Sequence, residues 1–181
     1  MGTAKEPKPA KLFMSLISSD DAILVRGMED LRLIFGEIDF MSERFSFDQT
    51  DYYHEEMGCP LVRNFVTFER LIPIPTLPQI KHATNHLENR YASTEGKRRI
   101  NIDPGYLCLV HAVLATTKGY THRPYLRDGV YADLTLIFRN KSFQPLEWTY
   151  PDYRQEKVIM LFNQFRKKYV EDLKRSEGPA C

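Results

Sequence analysis

The chain has few cysteines, no long apolar run and almost no net charge, and each shortage argues against a class of protein. Its 181 residues include three cysteines, Cys59, Cys108 and Cys181, and no two of them form a CxxC pair. Three scattered cysteines, an uneven number, argue against a disulfide scaffold and fit a reducing cytoplasm, where we expect the protein to reside. No apolar run approaches the roughly 20 residues that a membrane-spanning helix needs, so no membrane association is expected.

Positive and negative side chains nearly cancel, because 25 Lys and Arg residues stand against 24 Asp and Glu residues. The net charge of +1 creates no long-range field towards nucleic acid or anionic lipid, so such a role would need a local basic patch. The hydrophobic fraction of 43% is that of an ordinary globular domain. We therefore expect one domain over residues 11–175, with mobile tails at residues 1–10 and 176–181.

The sequence also lacks the short motifs that identify a reaction. It contains no GxGxxG and no GxSxG, and Gly96-Lys97 does not complete a phosphate-binding GxxxxGK loop, because Tyr91 occupies the position of the first glycine. His82 and His86 have the i, i+4 spacing of a zinc pair but lack the glutamate of an HExxH motif, which favours surface positions for both. Whether the protein is an enzyme is therefore left undecided.

Hydrophobic periodicity predicts the order β-α-β-β-α-β, followed by further strands and a long C-terminal helix. The first helix has clear signals at both ends, since Asp20 can cap its start and Gly36 can end it. We predict a strand that Pro104-Gly105 stops, and a last helix capped by Thr149 and Asp152. The predicted strands cover residues 11–18, 37–47 with an interruption, 61–72, 99–103, 110–116, 130–139 and 143–146.

The first six elements match the order found in ferredoxin-like domains. We therefore predict a single α+β domain with a mainly antiparallel sheet, a ferredoxin-like βαββαβ core, extra C-terminal strands and a long C-terminal helix. We expect the helices to cover one face of the sheet.

The loop of residues 117–127 concentrates cations and aromatic rings between two predicted strands. Lys118, His122 and Arg123 can hold a phosphate or a carboxylate, and Tyr125, with Tyr131 just beyond the loop, can stack on a base or sugar. The alternative is a long connection that its tyrosines fasten over the core. The residues leave both interpretations open.

Two other segments carry candidate site residues. Lys97 and Arg99, beside Gly96, offer cations and backbone amides to a phosphate, although basic residues that lead into an edge strand have a structural explanation too.

Asp51, His54 and Glu55 have i, i+3 and i+4 spacing, so one helical turn would align them to bind a divalent metal. Asp51 and Glu55 could equally act as an acid–base pair, with Asp103 as a third carboxylate to test as metal ligand or general base. The alternative is a solvated acidic loop. The cofactor is therefore unknown, and a divalent metal is the candidate.

Five segments resemble the prokaryotic family of unknown function DUF4416. They are INIDPGYL, VLATTK, HRPYL, DGVYADLTL and WTYPDYR, which begin at residues 100, 113, 122, 128 and 148. The resemblance extends from residue 11 into the last helix and implies a prokaryotic cytoplasmic protein, with no activity or residue role attached to it.

Together these features predict a protein that binds an anionic or phosphorylated small molecule, such as a nucleotide, through the basic and aromatic loop. Two other classes remain open. The same cations and rings could bind nucleic acid, which predicts an affinity that falls steeply with salt. Alternatively, the C-terminal helix could dock on a partner or on a second copy of the chain, which would make the protein a non-catalytic assembly factor or homo-oligomer.

Overall fold

The computed structural model describes residues 2–48 and 53–176, and these residues fold around one antiparallel sheet. Its strands are β1 (Ala10–Ser18), β2 (Ile38–Met41), β3 (Phe45–Ser46), β4 (Val62–Ile72), β5 (Asn101–Leu107), β6 (His111–Thr116), β7 (Tyr125–Arg127), β8 (Val130–Arg139) and β9 (Ser142–Pro145). The helices are α1 (Asp21–Phe35), α2 (His54–Met57), α3 (Leu77–Tyr91) and α4 (Glu156–Ser176), with 3₁₀ turns at Ile74–Thr76 and Pro151–Arg154. Within the described ranges, no helix is long and apolar enough to cross a bilayer.

The strand order is β2-β4-β1-β5-β6-β8-β7, with β3 beside β4 and β9 beside β8. Neighbouring strands are antiparallel throughout. The predicted α+β class, the antiparallel sheet and the long C-terminal helix are thus confirmed. β1 lies near the centre of the sheet, and all nine of its residues are buried.

Helices cover both faces of this sheet. On one face, which we call the helix-pair face, α1 and α3 pack against residues such as Leu12 and Val66. On the other, the α4 face, Phe162 meets Phe13 with ring centroids 5.0 Å apart and Phe65 with centroids 5.8 Å apart. The prediction that all helices share one face is wrong. Buried apolar side chains of β1 point to both faces, Leu12, Met14 and Leu16 to one and Phe13 and Ile17 to the other, so each face needs a cover.

β5 continues through Pro104-Gly105, where the sequence predicted its end. Gly105 pairs with Phe13 of β1, and a side chain at that position would clash with the Phe13 ring and the Val113 carbonyl. The prediction is wrong because Pro104 lies beyond the end of the β5–β6 ladder, where β5 behaves as an edge strand and tolerates proline.

The local signals around α1 are confirmed, whereas those before α4 are not. Asp20 Oδ1 accepts hydrogen bonds from the amides of Ala22 and Ile23 at 2.9 and 3.2 Å, and Gly36 follows the helix with φ of 99°. Thr149 does not cap α4. Its hydroxyl donates to the Thr135 carbonyl at 2.6 Å, which fastens this segment to β8, and the 3₁₀ turn intervenes before α4 begins.

A buried ionic cluster joins α4 to the sheet. The Lys11 side chain is fully buried and donates to Asp172 at 2.6 Å and also to Asp39. Asp39 accepts a further hydrogen bond from Thr67 at 2.6 Å, and Lys168 lies 3.2 Å away. Burial opposes ionisation of Asp39, but the hydrogen bonds from Lys11 and Thr67 outweigh it and lower the pKa of Asp39.

Candidate functional site

The sheet opens between β5 and β6 at the end where most of the predicted site residues lie. β6 pairs with β5 only through Gly105–Leu107, so in the described part of the chain residues 101–104 of β5 have no strand on that side. We call the opening between residues 101–104 of β5 and residues 115–116 of β6 the strand gap. The loop of residues 117–124 follows directly from β6 at the same end.

Two buried side chains of α3 take the place of the missing strand. Glu88 accepts a hydrogen bond from the Ile102 amide at 2.6 Å, and Lys81 donates to the Ile102 carbonyl at 3.3 Å. Backbone groups away from water need such partners, so both charged residues have a structural role. Burial is the largest influence on Glu88 and raises its pKa to about 7, although the charge of Lys81 opposes the shift.

Asp103, one of the predicted carboxylates, lies at the edge of the strand gap. It accepts hydrogen bonds from Lys81 at 3.2 Å and from Asn101 at 2.7 Å. Burial works against its ionisation, but Lys81 and Asn101 outweigh burial and lower the pKa of Asp103. Because 32% of its side chain is exposed, Asp103 is an ionised acceptor that a ligand can reach.

Across the gap, the predicted cation Arg123 is held by the protein itself. Its Nε donates to Asp133 at 2.8 Å, one terminal nitrogen donates to the Lys118 carbonyl at 3.1 Å, and the other donates to the Tyr150 hydroxyl. Asp133, on β8, is only 2% exposed. Arg123 therefore neutralises a buried carboxylate and positions the loop over the sheet.

His122 stacks on Trp148, the one tryptophan of the chain. The ring centroids are 5.1 Å apart with an interplanar angle of 16°, and the indole donates to the Leu134 carbonyl at 2.8 Å. The Nε2 atom of His122 is buried and lies 3.6 Å from Asp133 Oδ2, too far for a hydrogen bond. The imidazole is thus oriented by Trp148, with Nε2 directed towards the Asp133 carboxylate but not hydrogen-bonded to it.

Residues 148–153 cross the α4 face between the two sides of the gap. At one side Tyr150 meets Arg123, and at the other Asp152 pairs with Arg63 of β4, whose side chain is 6% exposed. Burial is the main cause that raises the pKa of Tyr150; Arg123 opposes the rise, whereas the charges of Asp133, Asp103 and Asp152 add to it. Tyr150 therefore lies within electrostatic range of both sides of the gap.

Buried polar atoms without a hydrogen-bond partner are concentrated in this region. Among the residues that the structure describes, they are Ser15 Oγ, Arg63 Nε, His122 Nε2 and Tyr153 Oη. Ser15 and Tyr153 are neighbours but do not meet in hydrogen-bonding geometry. We use the name polar cluster for Ser15, Arg63, Asp103, His122, Arg123, Asp133, Tyr150, Asp152 and Tyr153. Buried polar groups are normally satisfied, so such a concentration marks a candidate binding site.

The predicted tyrosines lie beside the polar cluster. Tyr131 lies in β8 two residues before Asp133 and therefore shares its face, and the ring centroids of Tyr131 and Tyr125 are 5.3 Å apart. Tyr125 is 60% exposed and belongs to β7, a strand within the segment that the sequence presented as a loop. Both rings are thus near the polar cluster and accessible from solvent to different degrees.

Lys97 and Arg99 are paired outside the polar cluster. Lys97 lies 3.8 Å from Glu95, and Arg99 donates to Asp20 at 2.8 Å, while both side chains stay about half exposed. Arg98, between them, makes the stronger contacts, since it donates to Glu56 at 2.7 and 2.9 Å.

The predicted metal-binding face is covered only in part by the structure. Glu55 is an exposed residue of α2, and Asp51 lies outside the described residues. Within residues 2–48 and 53–176, no group of three or more His, Cys, Asp or Glu side chains is placed to hold a metal ion. The role of these carboxylates as acid, base or metal ligand therefore stays a prediction.

Sequence reasoning missed Arg63, Asp133 and Tyr150 as members of the site. A signal for the first two was present, because each is a charged residue inside a predicted strand that is rich in apolar and β-branched residues. Charges at such positions are rarely buried unless they are paired. For Tyr150 no local signal existed, since its role depends on the path of residues 148–153 across the sheet.

Comparison with known proteins identifies a family but no activity. A family model described as a domain of unknown function, DUF4416, matches residues 8–169. No curated protein and no solved structure matched the chain.

Proposed function

We propose, for a chain that belongs to the DUF4416 family of unknown function, that the polar cluster binds a small organic anion bearing a phosphate or carboxylate. The observation that carries the proposal is the buried His122 Nε2, which has no hydrogen-bond partner and is held in place by Trp148. A ring nitrogen fixed in this way can donate a hydrogen bond to an anionic oxygen.

The charges around His122 favour an anion. Arg63 pairs with Asp152 and Arg123 with Asp133, so these charges cancel within the cluster. The adjoining residues 117–127 contain Lys118, Arg123 and Arg127 and no carboxylate, so this loop carries positive charge beyond the Arg123–Asp133 pair. A ligand that brings negative charge to this end of the sheet is therefore stabilised.

The proposed site is narrower than the set of residues predicted from the sequence. Lys118 belongs to it through the loop, and Tyr125 and Tyr131 remain candidates for stacking on the ligand. Lys97 and Arg99 are not included, because Glu95 and Asp20 already neutralise them. Arg123 is included as a positioning residue, since its guanidinium is occupied by Asp133, Lys118 and Tyr150.

We also propose that β1, α1, β2, β4, α3 and β5 form a ferredoxin-like core. The order β2-β4-β1-β5 with antiparallel neighbours supports this proposal, because two interleaved βαβ units produce such an order. In this scheme, β6 to β9 extend the sheet beyond β5 and create the strand gap.

The sharpest test replaces His122 by phenylalanine. This variant retains an aromatic ring to stack on Trp148 but lacks Nε2, so we expect the affinity for inorganic phosphate or acetate to fall roughly tenfold or more, the usual effect of losing one charged hydrogen bond. Trp148 fluorescence reports binding directly, because it is the one tryptophan and touches His122.

The matched control is His86→Phe, which makes the same change on the exposed side of α3 and should leave the affinity unchanged. Thermal denaturation of each variant distinguishes a lost contact from a lost fold. If wild-type protein binds neither anion, or if His122→Phe and His86→Phe bind equally well, the proposal is wrong. Arg123→Ala is a poorer test, because it also leaves the buried Asp133 without its partner.

A further inference from the structure

Asp103 and Asp133 face the same side of the sheet from opposite sides of the strand gap. Gly105, Leu114 and Asp133 are directly paired across β5, β6 and β8, so they point to one face. Asp103 lies two residues before Gly105 and shares that face. Two strand spacings separate β5 from β8, which places the two carboxylates on the order of 10 Å apart.

The contacts of Asp103 define what it can still bind. Lys81 donates to Oδ1 and Asn101 donates to Oδ2, and a carboxylate offers about four acceptor positions. One lone-pair direction on each oxygen is therefore available, which suits a pair of neighbouring donors. Because Lys81 already balances the charge of Asp103, a second ammonium group beside it would be repelled, and neutral hydroxyl groups are favoured.

We propose that the ligand is an anionic sugar, whose phosphate or carboxylate binds at His122 and whose hydroxyl groups donate to Asp103. This inference rests on the proposed function, since it assigns the second half of the same site. The separation across the gap requires a ligand with several bonds between its anionic group and its donors. Inorganic phosphate and acetate are too short to reach both sides, whereas a sugar phosphate and the ribose phosphate of a nucleotide have the required length.

The first test uses wild-type protein and needs no substitution near the gap. Titration of ribose 5-phosphate, 2-deoxyribose 5-phosphate, AMP and inorganic phosphate, followed by Trp148 fluorescence and calorimetry, compares ligands that share one anionic group. We expect ribose 5-phosphate to bind roughly tenfold more tightly than inorganic phosphate, because hydrogen bonds to an ionised carboxylate are strong. AMP distinguishes a nucleotide from a free sugar phosphate, because a base that contributes would raise the affinity further.

The second test is Asp103→Asn. We expect the ratio of the affinities for ribose 5-phosphate and inorganic phosphate to fall roughly tenfold, towards equality. Asp21→Asn, which makes the same change on an exposed carboxylate of α1, should leave this ratio as it is in the wild type. Because both affinities are measured on the same variant, a general loss of folded protein lowers both of them and leaves their ratio unchanged.

The outcomes separate the two proposals. If inorganic phosphate binds and depends on His122 but ribose 5-phosphate gains nothing, or Asp103→Asn leaves the ratio intact, the sugar proposal is wrong and the anion site stands. If neither inorganic phosphate nor any sugar phosphate binds, the proposed function itself is wrong and the sugar proposal is lost with it.

Discussion

Replacing Lys11 by alanine should lower the free energy of unfolding by about 3–5 kcal/mol, the usual effect of breaking a buried ion pair from one side. Lys11 is fully buried, and both carboxylates that it contacts, Asp39 and Asp172, are close to fully buried. Without the amine, two negative charges would remain near each other in a medium that solvates them poorly. Urea unfolding followed by circular dichroism measures the loss.

Lys168→Ala is the matched control, because Lys168 contacts the same Asp39 but its side chain is 28% exposed. For this partly solvated pair we expect a loss of at most about 1 kcal/mol. A Lys11→Ala variant as stable as Lys168→Ala would contradict the assignment of Lys11 as the centre of the cluster.

A combined variant tests the cause as well as the size of the effect. Lys11→Met retains most of the side-chain volume but leaves Asp39 and Asp172 without their shared buried cation, so it should be nearly as unstable as Lys11→Ala. Adding Asp39→Asn and Asp172→Asn removes both negative charges and should recover part of the loss. If the triple variant were less stable than Lys11→Met alone, lost packing rather than unpaired charge would be responsible.

Glu88→Gln should make the protein more stable at pH 8 and leave it unchanged near pH 4.5. The pKa of Glu88 is about 7 in the folded protein against an ordinary value of 4.5. Between pH 4.5 and pH 7, Glu88 is largely ionised in the unfolded chain but protonated in the folded protein. The free energy of unfolding therefore falls as the pH rises through this window. Each pKa unit corresponds to about 1.4 kcal/mol, and the loss above pH 7 reaches about 3 kcal/mol.

Glutamine removes that loss because it does not ionise, while its carbonyl oxygen can still accept the hydrogen bond from the Ile102 amide. Lys81 loses a nearby negative charge, which reduces the gain somewhat. Urea unfolding at pH 5 and pH 8 should show the difference between variant and wild type grow with pH. Glu95→Gln, on a carboxylate that is 76% exposed, is the control and should show no such growth. A constant difference at both pH values would contradict the shifted pKa.

The parts of the fold that the sequence predicted are those with local causes. Asp20 and Gly36 bound α1 through contacts within a few residues, so their signals can be read without knowing the rest of the molecule. The cover on both faces of β1 could not be predicted in this way. The cover depends on which helix packs its apolar side against which face of the sheet. α4, which packs against Phe13 of β1, lies at the far end of the described chain.

The candidate site likewise contains residues that local sequence features could predict and residues that they could not. His122 and Arg123 were predicted because the composition of their loop is unusual, and Asp103 was one of three carboxylates predicted as metal ligand or general base. Arg63, Asp133 and Tyr150 join them only through strand register and through the path of residues 148–153, which are long-range properties. Lys81 was not predicted at all, because its bond to the Ile102 carbonyl depends on how α3 packs against β5.

The position of α4 also matters while the protein is being made. Every strand that α4 covers precedes it in the chain, so a nascent chain on the ribosome has β1 and β4 available for pairing before their second cover has been synthesised. During that interval Phe13 and Phe65 have no helix to bury them, and exposed apolar surface of this kind promotes association with other chains. A chaperone that shields this face until α4 emerges would therefore raise the yield of folded protein, even though α4 covers the same face in the finished molecule.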